Sequence, residues 1–208
     1  MNGKAMYSLT YGLFVLTAKQ GNKQNGCIIN TALQVTTEPN RIAITVNKAN
    51  YTHDMLMETD DFTVSVISES ADFELFKHFG FQSGKEVDKF GGFGDVKEAA
   101  NGTLIVTKGT NAYISGKIFE RIDLGSHTMF IADVTDADVL SDEKSATYEF
   151  YQENIKPKRK APEAGKEEGK VVWVCKICGY EYDGEVLPDD FICPVCKHPA
   201  SDFEKVVK

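Results

Sequence analysis

Two C-x-x-C pairs near the C-terminus, Cys175-Lys-Ile-Cys178 and Cys193-Pro-Val-Cys196, are separated by fourteen residues. The x-x spacing turns both sulfurs of a pair toward one ion. Two such turns facing each other make a tetrahedral set of four thiolates, suited to zinc or iron. The segment that carries them, residues 171–208, is 38 residues long, below the ~40 at which a chain needs a metal, a disulfide or a partner to fold alone. The N-terminal residues show no apolar leader, so disulfides are not expected and the four cysteines read as metal ligands.

Upstream lies Lys156-Pro-Lys-Arg-Lys160, followed by alanine, glycine, glutamate and lysine up to Lys170. These fifteen residues carry nine charges, two prolines and two glycines and no large apolar side chain. They cannot contribute to a core and read as a linker, roughly 20 Å as a coil and about 50 Å at full stretch. The chain therefore divides into a first domain over 1–155, a charged linker over 156–170 and a small metal domain over 171–208.

With 42% apolar and 26% charged residues the chain has an ordinary globular composition. The net charge of −8 argues against nucleic-acid binding, which draws on basic surface. Apolar runs such as Leu13–Leu16 fall far short of the roughly 18 residues a membrane helix needs. A soluble cytoplasmic protein is expected.

In the first domain Ile42, Ile44 and Val46 alternate with polar or small residues, as do Phe62, Val64 and Val66. Thr128–Val134 is a further β-rich run, and Leu104–Thr107 and Tyr113–Ser115 read as shorter strands. His53–Thr59 and Ala71–Phe81 read as helices, the second with an apolar face of Phe73, Leu75, Phe76 and Phe79. Neither an internal repeat nor strand–helix alternation is present. The pattern predicts a mainly antiparallel β barrel or sandwich.

No G-x-G-x-x-G and no Walker A sequence occurs, and Gly91-Gly-Phe-Gly94 reads as a loop. Lys48, Asn50 and Thr52 follow the strand ending at Val46. If the chain stays extended they project to one side, offering a cation, an amide and a hydroxyl to a phosphate; a solvated strand end is the plainer reading of the same residues.

Two resemblances sharpen this. Trp173-Val-Cys-Lys-Ile-Cys-Gly-Tyr-Glu-Tyr182, Leu187-Pro-Asp-Asp-Phe-Ile-Cys-Pro-Val-Cys196 and Ser201-Asp-Phe-Glu204 together resemble the rubredoxins. The resemblance implies one iron in four cysteines, with Trp173, Tyr180, Tyr182, Phe191 and Phe203 as an apolar shell. The segment between the pairs is shorter than in stand-alone rubredoxins, and Lys197 stands where a glycine is usual. In the first domain Asn25-Gly-Cys-Ile-Ile-Asn-Thr-Ala-Leu-Gln-Val-Thr36, Asn47-Lys-Ala-Asn-Tyr-Thr52, Ser83-Gly-Lys-Glu-Val-Asp-Lys-Phe90 and Gly125-Ser-His-Thr-Met-Phe-Ile131 resemble blocks of the flavin reductase-like family. Taken whole, the chain resembles the high-molecular-weight rubredoxins, NADH-oxidising flavoproteins of anaerobes.

That resemblance implies an FMN-binding split β-barrel joined to a small rubredoxin-like domain, in a homodimer with FMN at the subunit interface. It implies flavin contacts from Cys27, Ile28, Asn30, Thr31, Asn47 and Lys89, a phosphate held by Lys48, Asn50 and Thr52, and a loop at Ser83–Phe90. His127 is implied at the face where nicotinamide docks. Cys27, beside a glycine expected in a turn, is read as buried near the ring and not as a nucleophile. The implied activity is electron transfer from NADH through FMN and iron to a flavodiiron protein that reduces oxygen or nitric oxide. The alternatives are a free-flavin reductase with a structural zinc ribbon and a flavoredoxin-like carrier reduced by another protein.

Overall fold

The computed structural model describes residues 3–157, 171–176, 180–193 and 199–207. It comprises two compact units, one built from Met1–Phe79 and Ser83–Lys156, the other carrying Pro157–Lys208. Lys156 and Pro157 are described; the rest of the charged segment lies outside the described residues.

The first unit carries β1 (Phe14–Gln20), β2 (Lys23–Ile29), β3 (Ala32–Thr37), β4 (Asn40–Asn47), β5 (Asp61–Ile67), β6 (Val96–Glu98), β7 (Leu104–Val106), β8 (Thr110–Asp123) and β9 (His127–Val139). Seven of these form one antiparallel sheet in the order β2-β1-β5-β8-β9-β4-β3, and β6 pairs with β7. The sheet's two edge strands, β2 and β3, are consecutive in the chain with only Asn30 and Thr31 between them. A sheet whose opposite edges are two residues apart must curl on itself. The result is a barrel with one seam, and Asn30-Thr31 bridges that seam.

Inside the curl, Leu16, Ile44, Val46, Phe62, Val64 and Phe130 are fully buried. Alternation explains why these strands face inward, but it does not produce exposed second faces. On β1, Phe14, Leu16 and Ala18 join the barrel core while Val15, with Leu13 just before the strand, packs outward with Leu75, Phe76, Phe79 and Tyr151. On β5 the residues between the apolar ones, Thr63 and Ser65, are also fully buried, because the β6–β7 hairpin lies over them. Their polarity is satisfied there. Thr63 Oγ1 lies 2.7 Å from both Thr103 Oγ1 and Ser115 Oγ, Ser65 Oγ accepts from the Val106 N–H, and Thr17 donates to the Leu104 carbonyl at 2.6 Å. Such pairing removes the cost of burying a hydroxyl. At Gly116 a Cβ would sit 2.6 Å from Phe62 Cζ, so only glycine lets the largest core ring approach β8.

Helices α1 (Tyr51–Glu58) and α2 (Phe73–Gly80) fall where periodicity places them, each starting about two residues away from the expected point. A short helix α3 (Tyr148–Phe150) runs on into a π turn over Tyr151–Ile155, whose Tyr151 packs on Phe76 with centroids 4.3 Å apart. The strands expected at Tyr113–Ser115 and Thr128–Val134 are fragments of β8 and β9, long antiparallel strands that run well past their apolar stretches.

In the second unit β10 (Val171–Cys175), β11 (Glu181–Asp183) and β12 (Phe203–Val207) form a three-stranded antiparallel sheet in the order β11-β10-β12. No helix among the described residues is long and apolar enough to cross a membrane.

Candidate functional site

The four sequence blocks of the first unit converge on the N-terminal end of α1. Asn25 of β2 donates through Nδ2 to Thr52 Oγ1 of α1 at 2.9 Å. The segment 83–90 lies directly on this pair, since a Cβ at Gly84 would fall 2.1 Å from Asn25 Oδ1. Lys85 of the same segment pairs with Asp54 of α1 at 2.7 Å. From the β8–β9 hairpin, the Ser126 carbonyl accepts from the Lys48 N–H, Asp123 pairs with Lys48 Nζ at 2.7 Å, and Thr128 Oγ1 lies 2.8 Å from His53 Nε2. Pairs up to 75 residues apart in sequence are thereby brought into contact.

The arrangement has a buried part and an accessible part. The buried part comprises Asn25, Cys27, Thr52, His53 and Lys89. Burial pushes the Cys27 thiol up, and its hydrogen bond with Thr52 and the charge of Lys89 only partly offset this. Burial pulls Lys89 down, against the opposing influence of Cys27. Among the described residues Asn25 Oδ1 and His53 Nδ1 have no hydrogen-bond partner.

The accessible part is a set of neighbouring strand ends. Thr31, just before β3, accepts from Thr45 N–H of β4 through its carbonyl, and Asn47 at the end of β4 pairs with His127 at the start of β9. Asn30, Asn47 and Lys48 are exposed, and Thr31, Asn50 and His127 half-buried. His127 Nδ1 lies 2.8 Å from Ser126 Oγ. Asp123 is held below the usual carboxylate range by Lys48 and by the Gly125 N–H.

Two expectations are corrected here, the alternation of Lys48, Asn50 and Thr52 along an extended chain and the turn at Gly26. The chain leaves the extended conformation after Asn47, so Lys48, Asn50 and Thr52 do not alternate along a strand. Asn50 caps α1 by position, without a side-chain hydrogen bond, and Thr52 is a fully buried helical residue. Gly26 lies inside β2, opposite Thr17, and not in a turn; Phe79 approaches to 3.1 Å of where its Cβ would be. Ile28 faces the cluster that contains α2, away from the barrel core that Cys27 joins. Lys89 Nζ is committed to the carbonyls of Gly26 and Phe79, both at 2.8 Å. Asn25 and His53 were not singled out by sequence reasoning. Asn25 stands in a matching block but has no local signature, and His53 reads as one polar residue of a short helix.

In the second unit Cys175 and Cys193 are both 0% exposed and share one cluster with Trp173, Tyr180, Tyr182, Phe191 and Phe203, the five aromatics expected. Phe191 is the hub, 4.7 Å from Tyr182 and 5.4 Å from Phe203. The Cys175 N–H donates to the Tyr180 carbonyl at 2.8 Å. Two sulfurs inside a dry aromatic shell fit a thiolate-bound metal, whose electronics such a shell tunes. Cys178, Cys196 and Lys197 lie outside the described residues.

The family model for the flavin reductase like domain matches residues 6–159. The chain belongs to the flavin reductase-like family. A model for a rubredoxin-like domain of the rubrerythrin type matches 173–204. The high molecular weight rubredoxin of Moorella thermoacetica is 35% identical over 99% of this chain and 100% of its own length. A ferric-chelate reductase (NAD(P)H) of Archaeoglobus fulgidus is also 35% identical, over 78% of this chain and 94% of its own. The barrel fold recurs in an NADH:FAD oxidoreductase of Streptomyces globisporus, with a TM-score of 0.62 and 23% identity over 78% of this chain and 92% of that one. This flavin reductase-like chain is therefore an oxidoreductase with an electron-transfer domain appended.

The buried thiol gives a direct check on the site. Cys27 should resist a thiolate-selective reagent at pH 8 in the native protein and react fully once urea unfolds it. Rapid native labelling at Cys27, read by peptide mass spectrometry, would contradict the burial that raises its pKa.

Proposed function

We propose that this chain oxidises NADH at an FMN bound in its first unit and delivers the electrons singly, through an iron held by Cys175, Cys178, Cys193 and Cys196, to a flavodiiron protein that reduces oxygen or nitric oxide. The observation that carries the reading is the combination, in one chain, of the accessible strand ends beside α1 with the buried Cys175–Cys193 cluster in its aromatic shell. The two family models match this chain in that order, and a high molecular weight rubredoxin aligns with both parts, over 99% of this chain and 100% of its own length. Bound FMN supplies a two-electron acceptor that can release electrons one at a time, and a four-thiolate iron supplies a one-electron couple.

The residues present fit these groups. At the first turn of α1 the backbone N–H groups of Tyr51 and Thr52 have no helical carbonyl to bond, the Asn50 side chain makes no capping bond, and Lys48, paired with Asp123 at 2.7 Å, lies two residues before the cap. A helix N-terminus with a neighbouring cation suits a phosphate dianion. Thr52 is excluded from that set, because its hydroxyl is buried against Asn25. Asn30, Thr31 and Asn47 offer amide and hydroxyl groups along the adjoining strand ends, and His127 projects from β9 next to them.

The reading makes the working unit a homodimer. Leu33 of β3 and Phe119 and Ile122 of β8 are 51%, 46% and 39% exposed, and Ile122 pairs with half-buried Met129 on β9. Arg41 stacks over the Phe119 ring at 4.4 Å. Apolar side chains clustered on a sheet's outer face mark an interface. The double variant Leu33→Lys/Ile122→Lys should sediment as a monomer where the parent sediments as a dimer, and should lose flavin with it. A monomeric parent would contradict the dimer.

The relay is tested by Cys193→Ser. Bleaching of the flavin band by NADH should persist, while NADH-dependent nitric oxide or oxygen consumption by an added flavodiiron protein should fall at least tenfold. Undiminished consumption would show that electrons bypass the cysteines.

A further inference from the structure

Lys89 invites a different role from the cofactor ligand it is expected to be. Its side chain is buried, with the residue only 3% exposed. An ammonium has three protons to donate, and two of them go to main-chain carbonyls, Gly26 on β2 and Phe79 at the end of α2. Removing an ammonium from water is costly unless it is fully engaged. Here it is engaged by the backbone, and by the last turn of a helix whose carbonyl end favours a cation. Nothing places this charge among the accessible strand ends where a flavin would lie.

What Lys89 does instead is fasten a segment. It belongs to residues 83–90, which have no regular structure. Other polar ties also hold this segment: Lys85 to Asp54 joins two surface side chains, and such pairs contribute little, while His78 Nε2 of α2 lies 2.5 Å from the Lys89 carbonyl. The segment is nonetheless pressed onto the site, with Gly84 buried against Asn25.

We propose that Lys89 is a positioning residue: its ammonium latches segment 83–90 to β2 and to the end of α2, and thereby fixes the wall of the flavin site without touching the flavin phosphate. The proposal rests on the flavin-binding reading above. A latch acts on the shape of the site, so its loss weakens any flavin equally. A phosphate ligand discriminates between FMN and riboflavin, which lacks the phosphate.

The test uses the full-length protein. In Lys89→Met, hydrogen exchange of the backbone amides over 83–90, followed by mass spectrometry in the flavin-free protein, should quicken by about tenfold or more, as expected when two charge-assisted bonds are lost from a local opening equilibrium. Affinities for FMN and for riboflavin, measured by flavin fluorescence, should fall by the same factor. Lys89→Arg, which keeps the charge and the donors, should restore part of both. Unchanged exchange overturns the latch. A loss confined to FMN overturns it too, and makes Lys89 a phosphate ligand. If Lys89→Met does not fold, Lys89→Gln retains one donor to a carbonyl without the charge, and equal against unequal loss for the two flavins decides in the same way. Should the parent bind neither flavin, the flavin reading fails while the exchange measurement still judges the latch.

Discussion

The first unit depends on a topological constraint. Strands β2 and β3 lie at opposite edges of a seven-stranded sheet yet are joined by Asn30 and Thr31 alone. The sheet therefore has to roll up, and its twist and the close approach of Phe62 to Gly116 let it do so. Rolling up encloses apolar residues of β1, β2, β4, β5, β8 and β9, while pairing within the sheet sets the start of β3, the end of β4 and the start of β9 side by side. The accessible groups at Asn47 and His127 are neighbours because β4 and β9 pair there, and Asn30 and Thr31 join them where the chain crosses the seam from β2 to β3. Strand pairing and closure together form the site, with no separate scaffold.

Around those strand ends the structure spends polar burial to hold irregular chain in place. Asn25, Thr52, His53 and Lys89 are all buried, and each bonds to a partner on another segment. Polar contacts of this kind are costly if broken and geometrically specific if complete. They fasten α1, segment 83–90 and the β8–β9 hairpin to one another, as the apolar core fastens the strands. Cys27 sits within the same cluster, its thiol pushed up by burial, which favours chemistry from a bound group over a protein nucleophile.

Much of this was legible in the residues. Alternation at Ile42, Ile44, Val46 and at Phe62, Val64, Val66 marked β4 and β5, and the two C-x-x-C pairs with their aromatics marked the second unit. The strands β1 and β2 were not legible as strands, because both faces are covered and β1 shows no alternation of burial. The misreading of Lys48–Thr52 as extended had a similar origin. A segment of five mostly polar residues carries no period of its own, and the helix over Tyr51–Glu58 is set by the burial of Met55 and Leu56 in the core. Ties such as Lys48 to Asp123 and Lys89 to Gly26 join residues 75 and 63 apart. They exist only once the sheet has closed, and no local pattern announces them.

The proposed function requires that electrons pass from a flavin to a four-thiolate iron within one protein. Anaerobic titration of the purified protein with NADH, followed by its visible spectrum and a metal analysis, addresses this most directly. The account predicts one iron per chain and bleaching of both the flavin and the iron–thiolate bands, with a total electron uptake equal to three per chain. A protein that contains zinc and bleaches only flavin bands, taking up two electrons, would contradict it and leave the second unit a structural appendage.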